Sequence, residues 1–586
     1  MKKNNKDNIY TSRYIQVLEN YYCDSRSAVT SACCSESLPT RIINGGKKAI
    51  YTATMAAMLL NNTVPAYADL TVSAGQTSSG LTVGAASSND VVRILSNYGT
   101  TISTTLNSGG QEIVYSGGFA YDTLIHGAGV ERVYGESFSA IVSGSYGPGF
   151  GSQVIYNGGV AHDTIVGYFG FQLISSGGWT ENAIIESVGA QVVDNGGAAF
   201  GTITTNGGLQ TVSWGGLAVG TIIESGGGGQ SVDSGGSAYY TVINGDGHQA
   251  ILTLGTASGT IINIGEQLIH GGTAYDTTIN SGGSQIVEYG SVIFGPTVSG
   301  SAINTEIFSG GSQIISNGGI ANNTEIYLGG VQNVLSGGVA SNTIINSAGY
   351  DYGEQNISNG GWADHTSVFY GGHQYVLAGG VATNTELISI GYQIISSGGS
   401  ASNTTVQDRS LQDIRVGGVA IDTMIDNSGY QYVSGTAINT VVGGGGGQTV
   451  MGGVASVTTI NNGGRQKIWD GGVALSTTVN SGGLQNVGNE RSSEAAVARF
   501  TQVNLGGKQN IYEGAVAFST VLGSAGRQNI QSGVYDVSAI HYVPQAVQNI
   551  SSGGMAYDTI INNGGRQNIS SGGSAFHTDI YSGGAQ

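Results

Sequence analysis

At 586 residues the chain has the length of several globular domains, yet 101 residues are Gly and 10% are charged, a balance foreign to ordinary enzymes of this size. Disorder is excluded because Ile, Val, Thr and Tyr recur on a fixed period with 5 Pro in the whole chain, and collagen because the glycines come in pairs without a three-residue repeat. The formal net charge is −18, but the first 68 residues carry 8 Lys and Arg against 4 Asp and Glu, so the remainder holds 11 basic and 33 acidic residues, a net charge of about −22 that excludes nucleic acid and anionic lipid as partners.

The leading segment reads as a targeting signal. Lys47 and Lys48 form a basic region, Ala49 to Leu60 an apolar stretch too short to span a membrane, and Ala66-Tyr67-Ala68 a small-x-small cleavage site. Cleavage is expected between Ala68 and Asp69, which makes residues 1–68 an extended signal peptide for export through Sec, with a long extension over residues 1–46. All three cysteines, Cys23, Cys33 and Cys34, lie in this segment. The rest has neither disulfides nor thiolate chemistry, as expected of a chain that crosses an oxidising periplasm unfolded.

Residues 69–106 keep strand content, as in Leu70-Thr71-Val72 and Leu81-Thr82-Val83, without the full repeat frame that follows. They are expected to be an N-terminal cap that shields the open end of a strand stack.

From residue 107 to residue 586 one frame returns about every nineteen residues, x-x-Gly-Gly-x-Gln-x-(Ile/Val)-x-x-Gly-Gly-x-Ala-x-x-Thr-x-(Ile/Val). Gln153, Gln172, Gln191 and Gln210 keep the step, as do Gln355, Gln374, Gln393, Gln412 and Gln431. Such a short period encloses no core of its own, so each copy buries its apolar atoms against its neighbours. Gln and the Ile or Val two residues on share one face of a strand, as do Thr and its following Ile or Val. The slots between them, held by Glu112, Thr211 and Asn333 in one column and Leu124, Thr278 and Glu325 in the other, are expected to face water. The glycine pairs are expected to supply positive φ at the corners, and inward glutamines to satisfy one another as an amide ladder, with threonines doing the same. The expected fold is all-β, a right-handed parallel β-helix of about 19-residue coils. Counted from Gln111, with a weak coil at Glu131, about 24 coils at the strand spacing would make a rod of roughly 115 Å. The chain stops inside a frame at Ser582 to Gln586, so it reads as truncated at the C-terminus, without a translocator barrel.

The frame resembles the strand-loop-strand repeat of bacterial autotransporter passenger domains of the diffuse-adherence adhesin type. Ser281 to Val287 and Ser397 to Val406 look like members of that repeat, and Thr71 to Val83 is similar to the family's opening segment. The resemblance covers essentially everything after Ala68. It implies a passenger on the outer face of a Gram-negative cell or in the extracellular medium, mediating adhesion, autoaggregation or biofilm formation. The implied partners are copies of the chain on neighbouring cells, host glycans or surface proteins, and a cytoplasmic heptosyltransferase that glycosylates Ser and Thr.

Searching for chemistry yields little. The eight histidines show no metal-ligand spacing, the Gly443 to Gly447 run lacks a following Lys-Ser/Thr, and no calcium-binding Gly-Gly-x-Gly-x-Asp repeat occurs. No catalytic, metal or cofactor residues are assigned, and no cofactor is expected. A glycan lyase or hydrolase on a β-helix is the alternative of a different class, and a passive surface layer is a third. Binding is assigned to the places where the spacing lengthens: Tyr134, Phe138, Tyr146 and Phe150 between Gln111 and Gln153, Tyr289 and Phe294 between Gln285 and Gln313, and a further interruption between Gln485 and Gln509. Serines preceding glycine pairs, Ser108, Ser116, Ser281, Ser309, Ser336 and Ser397, are the candidate O-glycosylation sites.

Overall fold

The computed structural model describes residues 67–84 and 93–586, except 145–148, 176, 292–296, 348, 350, 489–493, 532–534, 542–544 and 563. Most of the leading segment, residues 1–66, lies outside the described residues. The chain divides into two compact units, residues 1–192 and 193–586. No helix occurs among the described residues, and within each unit strands from successive copies pair in parallel, one coil on the next, as a β-solenoid.

One coil is three strands, where the parity of the sequence had indicated two. In the second unit Val331–Val334, Val339–Ser341 and Ile344–Asn346 make one coil, and Glu354–Ile357, Trp362–Asp364 and Ser367–Phe369 make the next. Their register places Gln332 on Gln355, Ala340 on Ala363 and Ile345 on Val368. The extra corner falls between Ala340 and Thr343. Asn342 adopts φ 55°, a left-handed conformation that Asn tolerates because its side chain bonds locally. Ser341 and Asn342 therefore both point outward, and Thr343 returns to the interior. In other coils the two short strands run together, as in Ile320–Ile326, with Asn323 kinked at φ 56°.

The paired glycines are needed for two different reasons. At Ser316-Asn317-Gly318-Gly319 the Gly319 amide donates to the Ser316 carbonyl at 2.8 Å, and Asn317 and Gly318 have φ 47° and 76°, a type I′ turn. Gly318 thus supplies positive φ. Gly319 does not; a Cβ on it would stand 2.1 Å from the Val287 carbonyl oxygen of the coil beneath. The first glycine answers to backbone conformation and the second to the closeness of the next coil.

The interior is layered. Buried Val and Ile from the longest strand of each coil pack against the Ala column, forming one apolar cluster in the second unit that includes Val334, Ala340, Ile357 and Ala363. A second apolar column, including Ile326, Ile345, Val368 and Leu387, fills the other edge. Between them runs a polar seam. Gln355 donates its amide to Gln332 Oε1 at 2.7 Å, and Thr343 donates its hydroxyl to the same oxygen at 3.2 Å. Threonines thus serve the glutamine ladder and do not form a ladder among themselves. Links of this kind connect the column from Gln210 to Gln586 without a break, beginning with Gln230 on Gln210 at 2.6 Å and ending with Gln586 on Gln567 at 2.6 Å.

In the first unit the ladder differs from its expected form. Gln111 stands in register with Val130 and is half-buried, accepting a bond from Arg132 at 2.6 Å. The inward position belongs to Glu112, which pairs with Glu131; both are fully buried. Glu112 therefore does not face water, and Thr211, in the slot after Gln210 in the second unit, is also buried, at 4% exposure. Residues 69–106, expected as an N-terminal cap, share the strand order of the repeat. Tyr67–Val72, Thr77–Ser79 and Thr82–Val83 stack on Arg93–Asn97, Thr100–Ile102 and Thr105–Leu106 with the same three-strand order as the coils that follow.

The two glycine roles separate by substitution. Gly318→Ala is expected to cost about 1 kcal/mol of local stability, the price of a left-handed alanine. Gly319→Ala is expected to cost more than twice as much, because a backbone carbonyl must move. Hydrogen exchange at the amides around residue 319 measures both, and equal costs would refute the distinction.

Candidate functional site

The aromatic residues assigned to loops fall into three groups. Tyr134 and Phe138 are not loop residues. The long interval from Gln111 to Gln153 contains a complete coil, Val130–Val133, Glu136–Phe138 and Ile141–Val142. Tyr134 follows the first of these strands and stacks on Tyr156 at 4.9 Å; Phe138 stacks between Tyr121 at 4.9 Å and His162 at 4.6 Å. These rings belong to ladders that run along the coils, with Tyr98 on Tyr115 at 4.2 Å as a further rung. Tyr146 lies outside the described residues, and Phe150 is half-buried in the segment leading to Ser152–Ile155.

Tyr289 marks a true insertion. It is 44% exposed and precedes a hairpin in which Gly290–Ser291 pairs antiparallel with Thr297–Val298. Phe294 lies outside the described residues. The coil closes beneath the hairpin: the Gly300 amide donates to the Glu288 carbonyl at 3.0 Å, while Gln285 stays in register with Gln313 and Ala274 with Ala302. In the frame Gly290 and Gly300 hold the places of a corner's glycine pair, with the insertion spliced between them, although Gly290 lacks the positive φ of Gly318. At its base His270 Nδ1 lies 3.1 Å from Glu288 Oε1. The His270 bond holds the Glu288 carboxyl below its usual range, with the Asn317 amide contributing, against the upward push of burial. In the third interruption, Glu490 and Arg491 lie outside the described residues.

Of the candidate serines, Ser116, Ser281, Ser309, Ser336 and Ser397 are exposed at corners and Ser108 is half-buried. The Ser281, Ser309 and Ser397 hydroxyls lie 2.7, 2.8 and 2.5 Å from where a Cβ would stand on Gly310, Gly329 and Gly417 of the next coil. A bare glycine is what gives each hydroxyl its room. At the other end, the Ala68–Asp69 bond lies within Tyr67–Val72, and the pairing of that strand with Arg93–Asn97 skips Asp69.

The outward slot of the shortest strand changes chemistry along the chain. In the first unit it holds Leu124, Ile141, Ile165 and Ile184, and at the start of the second Ile203, Ile222, Val242 and Ile261. Slots expected to face water are thus apolar over this stretch. Beyond Ile261 the same column carries Thr278, Glu306 and Glu325 in direct register. Beside it runs the column of left-handed corner residues, where Asn304 donates to Asp276 at 2.9 Å and Asn323 to Asn304 at 3.3 Å.

These two columns line an open groove of about 650 Å³ in the second unit, reaching from Asp276 to His365. Like charges at Glu306 and Glu325 oppose each other in register, an arrangement that costs stability. Burial and a bond to Glu325 push the Tyr327 hydroxyl up to about 12. At the end of the groove Asp364 accepts from Thr383 at 2.6 Å, Asn384 at 2.8 Å and His365 at 2.8 Å; although burial pushes the other way, these bonds hold its carboxyl below the usual range. The groove therefore offers carboxylate and amide oxygens to a ligand rich in hydroxyl or cationic donors. Among the described residues no group of three His, Cys, Asp or Glu is placed to hold a metal ion.

No family model matches the chain, and no curated protein does. Among solved structures it is similar to a hyper-glycosylated TibA fragment modified by TibC, at 26% identity over 73% of this chain and 100% of that one, with a TM-score of 0.27. It is also similar to the A-module of the Azotobacter vinelandii mannuronan C-5 epimerase AlgE4, at 11% identity over 67% and 91% of the two chains and a TM-score of 0.13. A mutant tailspike protein of E. coli bacteriophage HK620, in complex with a pentasaccharide, matches at 9% identity over 96% and 79%, with a TM-score of 0.12.

Because the hairpin is spliced between two glycines, removing Ser291 to Ser299 rejoins Gly290 to Gly300 and restores a regular corner. The shortened chain is expected to keep its far-ultraviolet circular dichroism and to melt within about 3 °C of the native chain. Loss of the β signal would show that the hairpin is part of the coil.

Proposed function

We propose that the chain is an exported surface passenger that mediates adhesion and aggregation between cells through the outward columns of its solenoid units. One observation carries the reading: the repeat commits its conserved-by-frame positions to an interior seam and core, leaving long, chemically segregated columns on the outside. The apolar slot from Leu124 to Ile184, its counterpart from Ile203 to Ile261 and the polar groove from Asp276 to His365 are surfaces of two distinct kinds. The resemblance of the frame to autotransporter passengers supports the same reading. Attachment would then sum many weak contacts, with avidity compensating for small individual terms. Copies on neighbouring cells, host glycans and host surface proteins are the partners proposed.

Export through Sec with cleavage after Ala68 belongs to this proposal, as does heptosylation by a cytoplasmic transferase at exposed corner serines such as Ser281 and Ser397. A second reading is favoured by the groove alone, where the stacked Glu306 and Glu325 would act on a glycan. Release of reducing sugar from polysaccharides, lost in Glu306→Gln and Glu325→Gln, would establish that enzyme reading in place of adhesion.

Aggregation has a definite salt dependence under the proposal. A net charge of about −22 repels copies at low ionic strength, and physiological salt shortens the screening length to about 8 Å. Settling of cells displaying the chain is expected to quicken from very low to physiological salt. Clumping strongest at the lowest salt would replace distributed contacts with a few charge pairs, and no settling at any salt would leave a passive coat. Intact mass of protein from its native host is expected to exceed that of the cleaved polypeptide; an equal mass removes the glycosylation proposal.

A further inference from the structure

The interior ladder has a direction. Gln172 donates to Gln153 at 2.7 Å, and Gln153 donates in turn to Glu131 Oε2 at 2.8 Å, so these glutamine amides point their N–H toward the lower-numbered coil. At Glu131 the direction breaks down, because an ionised carboxylate has no donor to offer the next rung. That rung is Glu112, in direct register on the adjacent strand. Glu112 Oε1 already accepts from the Thr101 hydroxyl at 2.7 Å and from the Asn97 amide at 3.3 Å. Glu112 Oε2 is buried with no hydrogen-bond partner. Two facing carboxylates with one orphaned oxygen are short of one proton.

We infer that Glu112 and Glu131 hold a shared proton in place of two glutamine amides, and that residues 93–142 are consequently a segment of the solenoid that tightens in acid and loosens as the pH rises through neutrality. With the proton on Glu131, its O–H donates toward Glu112 Oε2 and the ladder keeps its direction. Without it, two full charges face each other in a site closed to water.

Among the described residues no basic side chain bonds the pair. The groups bonded to it are Asn97, Thr101, Ser137 and Gln153, and the Thr123 hydroxyl beside both carboxyls pulls them down; all are uncharged. Arg132, on the Glu131 strand, turns away to bond Gln111, and Glu136 lies half-buried on the next strand. Arg93 is the basic residue on the strand beneath, in register with Gly110. Burial, and for Glu112 also the Glu131 charge, pushes the two carboxyls up to about 8 and about 7. Unfolded glutamates release their protons near pH 4.3. Between that value and about 8 the folded segment holds more protons than the unfolded one, so its stability falls as pH rises across this window.

Limited proteolysis of the full chain, with fragments assigned by mass, tests the inference. The ratio of cleavage within residues 93–142 to cleavage within 355–431 is expected to rise more than tenfold from pH 5 to pH 9. The ratio removes the protease's own pH dependence. In the Glu112→Gln, Glu131→Gln double variant the rise is expected to vanish, and Gln393→Glu is expected to import a rise into 355–431. A flat ratio in the native chain, or a rise that survives in the double variant, overturns the inference. Should the double variant fail to fold, Glu131→Gln alone serves with infrared spectroscopy. The native chain at pH 7 is expected to show a protonated carboxyl stretch that this variant lacks, and its absence from the native spectrum overturns the inference equally.

Discussion

The interaction on which the rest depends is the amide ladder, because it fixes the rotation and spacing of each coil on the one before. Hydrophobic columns of Val, Ile and Ala bury area but tolerate sliding, since apolar contact is non-directional. A glutamine whose amide must reach the oxygen beneath at 2.6–2.8 Å, while that oxygen also takes a threonine hydroxyl, allows one register. Where the glutamine chain is continuous each amide finds its partner, although the buried Thr440 and Thr559 hydroxyls beside it do not. Its position between two apolar clusters shields it from water and holds it in the middle of the coil.

The frame made the solenoid legible because period and parity both act through the interior. Inward Gln, Ala, Thr and Ile repeat in sequence as they stack in space. The third corner was hidden in the same frame. Ala and Thr are three residues apart yet both face inward, which no uniform strand allows; the odd spacing between Ala340 and Thr343 is the signal of the kink at Asn342. Gln111 misled because it follows its glycine pair directly, one position early. Glu112 keeps the nineteen-residue step to Glu131, so position in the frame outranked residue identity.

The outside was much less legible. Tyr134 and Phe138 looked like loop residues because a coil without Gln breaks the visible rhythm, yet they stack in ladders. The corner at Tyr134-Gly135 is also shorter than the usual one, which shifts the count without creating a loop. Outward columns carry no constraint from the stack, so their chemistry can drift from Ile203 to Glu306 without disturbing a frame that lists them only as variable. The groove between Asp276 and His365 emerges only when the corner and slot columns are placed side by side.

The hairpin between Gly290 and Gly300 has a consequence for how such a chain can change. Register in the stack is set from coil to coil, so the number of residues in a corner is invisible to the coils above it. A glycine pair is therefore a seam at which chain can be let in or taken out while every neighbouring coil keeps its place. Lineages of such chains can revise what they present to the world one corner at a time, with the scaffold acting as a fixed pegboard and the inserted segments as its interchangeable fittings.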